Sequence, residues 1–157
     1  MRKLSFIHLQ VYSAYSLLMS TASVEQLVAD AKVKGYPAIA LTDRNVMYGT
    51  AQFYNECKKN NIKPIIGLTV DIEKEQEEGT NPIVLLAKNN QGYQNLLKIT
   101  SSLQTAAEGG LPLKWLRAYS NGLIALTPGL EGVIENYLLE ERFMDAEKYA
   151  RMYKEIF

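Results

Sequence analysis

The sequence predicts an α/β fold around a mixed, mainly parallel sheet. Three observations predict it. Ala38-Ile-Ala-Leu41 is a short continuous apolar run that passes straight into Thr42 and Asp43, the pattern of a strand buried on both faces. Runs of this kind alternate with amphipathic, helix-period segments along most of the chain, as in βαβ units. Between Ile65 and Ala87, however, two extended runs follow each other with only a loop between them. One hairpin-like antiparallel pair is therefore expected in an otherwise parallel sheet.

The elements follow in order. Leu4 to Val11 reads as a first strand with a central His8, followed by a loop from Tyr12 to Thr21 that contains Ser13, Ser16 and Ser20. Ser23-Val-Glu-Gln26 has the form of a capping box. The helix it opens carries Val24, Leu27, Val28 and Ala31 on one face, and Gly35 suits the left-handed position that stops it. The strand Ala38–Leu41 comes next. A helix over Thr50 to Lys59 turns Ala51, Phe53, Tyr54 and Cys57 inward, with Asn60 and Asn61 as stop residues.

Ile62 to Ile72 is the next extended run. Glu73 to Asn81 is charged and contains Gly, hence an exposed tip. Pro82 to Ala87 is another buried-type strand. A helix from Gln91 to Leu103 has Leu96, Leu97 and Ile99 as its apolar residues. Ala106 to Pro112 is a Gly-rich loop, and Leu113 to Tyr119 a short helix anchored by Trp115. A strand over Leu123 to Thr127 precedes helices over Leu130 to Leu139 and Phe143 to Phe157. No repeat or low-complexity segment interrupts the series, and a single domain over residues 1–157 is expected.

Lys+Arg and Asp+Glu both number 17 in 157 residues, which removes the strong overall basic field of many nucleic-acid-binding chains. A small local patch at Lys58, Lys59 and Lys63 stays open beside the reading of those lysines as a solvated helix end. Hydrophobic residues make up 47% of the chain and charged residues 22%, a soluble globular balance. The one cysteine, Cys57, excludes an internal disulfide and points to a reducing compartment and a buried thiol. Met1 to Lys3 are charged, but no apolar stretch of signal-peptide type follows, and no run is long enough for a membrane span. A cytoplasmic location is the expectation.

Four places in the sequence could carry chemistry. On the first strand His8, Gln10 and Tyr12 share a side, but only His8 is a metal-type ligand, and a metal needs several converging donors. Thr42-Asp43-Arg44 puts a carboxylate at a strand's C-terminal end, where α/β sites collect. The same Asp43 suits capping of loop amides or pairing with a cation. Pro64-Ile-Ile-Gly67-Leu-Thr69 ends in a hydroxyl, a poor ligand for a divalent metal. Gly109-Gly110 before a short helix is open to a phosphate, and equally to a plain turn. A Ser–His–Asp set cannot be assembled with one histidine, and the phosphate-binding lysine and G-x-G-x-x-G motifs are absent.

F-I-H-L-Q-V-Y-S-A-Y-S-L-L, A-L-T-D-R-N-V-M-Y-G, F-Y-N-E-C-K, N-I-K-P-I-I-G and L-L-A-K-N-N-Q-G-Y-Q-N-L-L-K-I-T-S keep the order and spacing of a known family. Together they resemble the N-terminal polymerase-and-histidinol-phosphatase (PHP) domain of bacterial DNA polymerase III alpha subunits, Gram-positive type. The resemblance implies the N-terminal part of a distorted (β/α) barrel of about seven strands with a metal cluster at the strand C-termini. It implies a truncated chain whose domain continues past Phe157, with the later ligand histidines beyond that residue. It also implies a parent that is a DNA-directed DNA polymerase, a nucleotidyltransferase of DNA replication, whose catalytic aspartates lie elsewhere. The partners implied are the remainder of the alpha chain and, through it, DNA and replisome subunits.

Measured against that family, the ligand positions are altered. Gln10 and Tyr12 stand where metal-binding members have H-x-H, and Met19 where many have aspartate. Arg44 replaces a ligand histidine, and Thr69 a glutamate. His8 and Asp43 remain. A guanidinium would repel a divalent cation and fill its space. The expectation is a degenerate site with no catalytic residue, metal or cofactor, and a supporting role within the polymerase. The alternative is residual metal-dependent 3′–5′ exonuclease or phosphoesterase activity through His8 and Asp43. Asp43 should meet a backbone amide, or Arg44 an acceptor, and the fragment should self-associate through an open edge.

Overall fold

The computed structural model describes residues 6–74, 78–106 and 109–157. It is a mixed α/β fold. Six helices occur among the described residues, α1 (Val24–Val33), α2 (Thr50–Lys59), α3 (Asn90–Ala106), α4 (Leu113–Ala118), α5 (Val133–Leu139) and α6 (Phe143–Ile156). Four strands accompany them, β1 (Ala38–Leu41), β2 (Lys63–Glu73), β3 (Thr80–Ala87) and β4 (Leu123–Leu126), and their order is β1-β2-β3-β4. The chain packs as two compact units, residues 1–68 and 69–157.

The first unit holds α1, β1, α2 and the start of β2. Ser23 caps α1: its hydroxyl accepts from the Gln26 amide at 3.2 Å, and the Gln26 side chain accepts from the Ser23 amide at 3.1 Å. Gly35 ends it at φ +70°. Its amide donates to Lys32 and the Tyr36 amide to Ala31, which satisfies carbonyls left over at the helix end. Asn61 ends α2 the same way at φ +56°, with amides 61 and 62 donating to Lys58 and Cys57. β1 then pairs parallel with β2, from Ala38↔Lys63 to Leu41↔Ile66. Val24, Val28, Ala31, Ile39, Leu41, Phe53, Cys57 and Ile62 form its core. Each large member contributes about 1.5–3 kcal/mol by leaving water.

The second unit holds the rest of β2, β3, β4 and helices α3 to α6. β3 and β4 are antiparallel, from Val84↔Leu126 to Ala87↔Leu123. Helix α3 packs on β3 through buried Leu96 and Ile99. Its Gly92 runs so close to Gly122 that an added Cβ would lie 2.0 Å from the Gly122 carbonyl oxygen. Helices α5 and α6 pack on each other, after a short 3-10 turn at Gly129–Glu131.

Several expectations need correcting. Residues 6–11 are not a strand, though the Ala40 and Thr42 amides donate to the carbonyls of His8 and Val11. The reason is Thr42: its hydroxyl accepts from the Val11 amide at 2.9 Å and donates to the Val11 carbonyl at 3.1 Å. A side chain thereby replaces a rung of the ladder. The sheet is mixed: β1 and β2 pair parallel, β3 and β4 antiparallel. Ala51 and Tyr54 face solvent, as does Leu97, whereas Asn95 is buried and donates to the Asn121 carbonyl at 2.8 Å. Leu116, not Trp115, anchors α4; Trp115 is 37% exposed and stacks on Tyr119 at 5.6 Å. The closing pair of helices starts at Val133 rather than Leu130. The expected tip at 73–81 and the Gly-rich loop at 106–112 fall partly outside the described residues.

Candidate functional site

Asp43 follows β1 at its C-terminal end and is 2% exposed. An ionised carboxylate there must find donors, because burying it unpaired costs several kcal/mol. The loop after residue 12 supplies them. Asp43 Oδ1 accepts from the Ser13 amide at 2.7 Å and from the Ser16 hydroxyl at 2.6 Å, and Oδ2 accepts from the Ser13 hydroxyl at 2.7 Å. These lengths are those of charge-assisted bonds. The serines are oriented in turn. The Ser16 hydroxyl accepts from the Arg44 amide at 3.0 Å, and the Ser13 hydroxyl from the Tyr15 amide at 3.3 Å. Amide, hydroxyl and carboxylate thus form continuous chains. Both serines are buried, and the Ala14 amide closes the neck of the loop on the Ala22 carbonyl at 2.8 Å.

The other positions singled out from the sequence lie as follows. His8 is exposed, its ring set edge-on against Phe6 at 4.6 Å and near Tyr36 at 5.5 Å. Gln10 and Tyr12 do share a side: the Gln10 amide donates to the Tyr12 hydroxyl at 3.0 Å. Met19 is exposed, Arg44 is half-buried, and Thr69 is buried on β2 in the second unit. Among the described residues no group of three His, Cys, Asp or Glu side chains is placed to hold one ion. Asp43 meets the amide expected of it, that of Ser13. Sequence reading passed over Ser13 and Ser16 as loop residues. Their spacing of three beside a buried-type aspartate was the available signal.

A cleft of about 210 Å³ opens beside Ser13, among Tyr15, Ser23, Glu25 and Gln52. Its polar walls hold one another: Gln52 donates to Glu25 and accepts from the Tyr15 hydroxyl. Backbone hydrogen bonding, then the Ser23 hydroxyl, keeps the Glu25 carboxyl below its ordinary pKa. The site as built can fix a loop to a strand end. It offers one committed carboxylate in place of a converging ligand set.

A family model described as the PHP domain matches residues 8–157. The chain is 52% identical, over 98% of its length, to a DNA polymerase III subunit alpha of Bacillus subtilis, and spans 14% of that protein. It is 37% identical over 97% of its length to the Borreliella burgdorferi protein of the same name, again 14% of the relative. The chain therefore covers about one seventh of the curated relatives it matches. A solved structure from Bifidobacterium adolescentis, named as a metal-dependent phosphoesterase, superposes with a TM-score of 0.51. Its sequence is 12% identical, and the match covers 64% of this chain and 34% of that one. At that identity the likeness concerns the fold.

Proposed function

The chain belongs to the PHP domain family, and on that premise we propose that it is the PHP region of a replicative DNA polymerase III alpha subunit, with a supporting role and no metal chemistry of its own. In this reading residues 1–157 are part of one distorted (β/α) barrel. The remainder of the alpha chain is the immediate partner, DNA and replisome subunits are met through it, and the location is cytoplasmic. Relatives that keep one name across almost the whole of this chain support the assignment. No helix among the described residues is long and apolar enough to cross a membrane.

The observation that carries the supporting role is the Asp43 cluster. Three of the roughly four lone-pair positions of a carboxylate are taken by neutral donors of the loop. The metal that the family implies needs three or four convergent donors. At the positions where the resemblance puts ligands, the sequence has instead an amide, a phenol, a thioether and a guanidinium, at Gln10, Tyr12, Met19 and Arg44. These residues do not fit a divalent ion.

Two experiments test the reading. After incubation with Zn²⁺ or Mn²⁺ and gel filtration, elemental analysis should find far less than one ion per chain. A stoichiometric ion lost on Asp43→Asn would overturn it in favour of residual nuclease chemistry. Replacing the matching segment of the Bacillus subtilis polymerase by this chain should preserve primer extension, and a soluble chimera unable to extend would overturn the polymerase assignment.

A further inference from the structure

Five exposed lysines gather at the end of the first unit opposite Asp43. Lys32 lies in the last turn of α1 and Lys34 at its C-cap, Lys58 and Lys59 close α2, and Lys63 opens β2. Topology brings them together. Each helix precedes one of two parallel strands that start in register at Ala38↔Lys63, so both helices end where the strands begin. The Lys63 amide donates to the Pro37 carbonyl at 2.9 Å. Across the helices the Lys32 ammonium donates to the Asn60 side chain at 3.1 Å. Lys58 Nζ lies 5.4 Å from the ring centre of Tyr54, which is itself 46% exposed.

The net charge of zero conceals a segregation. Residues 1–68 carry eight Lys and Arg against four Asp and Glu, whereas residues 69–157 carry nine against thirteen. Of the four acids in the first unit, Asp43 is held inside at the far end, Glu25 stands in the first turn of α1, and Asp30 is exposed on α1 beside a cleft it shares with Lys34. Glu56 pairs with Lys59 at 2.6 Å. Complementing two helix dipoles accounts for cations in the last turns, but not for Lys63 on a strand or for the partly exposed Tyr54 beside Lys58. Ammonium groups beside an exposed aromatic face are what phosphates and unstacked bases bind.

We propose that this face binds the phosphate backbone of DNA without sequence preference. The choice of DNA over an acidic protein segment rests on the polymerase reading above. Fluorescence anisotropy with a labelled 20-mer, single-stranded and duplex, tests it across a salt series. With four phosphate contacts the slope of log K against log salt should be about −3.6 for duplex and about −2.8 for single strand. Lys34→Glu/Lys58→Glu/Lys63→Glu should weaken binding roughly tenfold or more at low salt, and Lys148→Glu, on α6, should leave it unchanged. The glutamine triple serves in the same way if charge reversal impairs folding. Absence of binding at low salt, or equal losses in triple and control, would overturn the inference. So would a polyglutamate probe that binds more tightly than DNA of equal charge, which would assign the face to an acidic protein. Metal analysis and the chimera do not depend on these lysines, so an extending chimera with no DNA binding by this chain rejects the patch alone.

Discussion

Ser16→Ala isolates the clamp on Asp43. The substitution removes a 2.6 Å bond to the carboxylate and the acceptor of the Arg44 amide. A hydrogen bond to a charged group is worth about 1.5–3 kcal/mol, and a buried donor left without an acceptor costs about 1–3 kcal/mol more. Arg44 is half-buried, so water can partly replace Ser16 there, and the loss should total about 2–3 kcal/mol. Urea unfolding followed by circular dichroism measures it. Ser13 donates to the same carboxylate through both its amide and its hydroxyl, and Ser13→Ala removes only the second. A cycle of Ser16→Ala with Asp43→Asn should return a coupling of about 1–2 kcal/mol, because the two groups share one bond. A Ser16→Ala loss under about 0.5 kcal/mol, the size of an ordinary surface change, with no coupling, would refute the clamp.

Burial pushes the Cys57 thiol from 9.0 up to about 11. The native chain should therefore resist a thiol reagent at pH 8 and react on unfolding. Its folded state favours the neutral thiol, so that contribution is complete below pH 9 and is lost as pH rises toward 11; urea midpoints across this window should fall. Leu116→Ala should cost about 2–5 kcal/mol and Trp115→Ala far less, read from paired thermal melts. Gly92→Ala should cost about 2–3 kcal/mol or more by forcing α3 off the Gly122 carbonyl, and an unchanged melting temperature would contradict that packing.

Local signals in this chain were legible and long-range ones were not. Ser23 with Gln26, Gly35 and Asn61 each act within a few residues: α1 begins and ends, and α2 ends, where those residues place them. The four apolar residues of β1 were equally plain. Trp115 misled because size is a weak guide to burial: a ring can stack on Tyr119 at the surface while a neighbouring leucine enters the core. Asn95 was invisible as a core residue because its partner, the Asn121 carbonyl, is 26 positions away. The Asp43 site shows the same limit. Its carboxylate was found at a strand end, but the donors that define it lie 27 and 30 positions earlier.

The stretch at 6–12 and the Thr42 hydroxyl also bear on solubility. β1 stands first in the strand order, and a bare outer strand offers free amides and carbonyls to another molecule. Here the Ala40 and Thr42 amides are already occupied by the carbonyls of His8 and Val11, and Thr42 satisfies the Val11 amide through its side chain. A segment bonded partly through a hydroxyl, without strand geometry, shields that border and is itself a poor template for further strand addition. The irregular segment thus leaves the Ala40 and Thr42 amides of this border already bonded and not open to another strand. Removing residues 1–12 would expose the border at a single stroke.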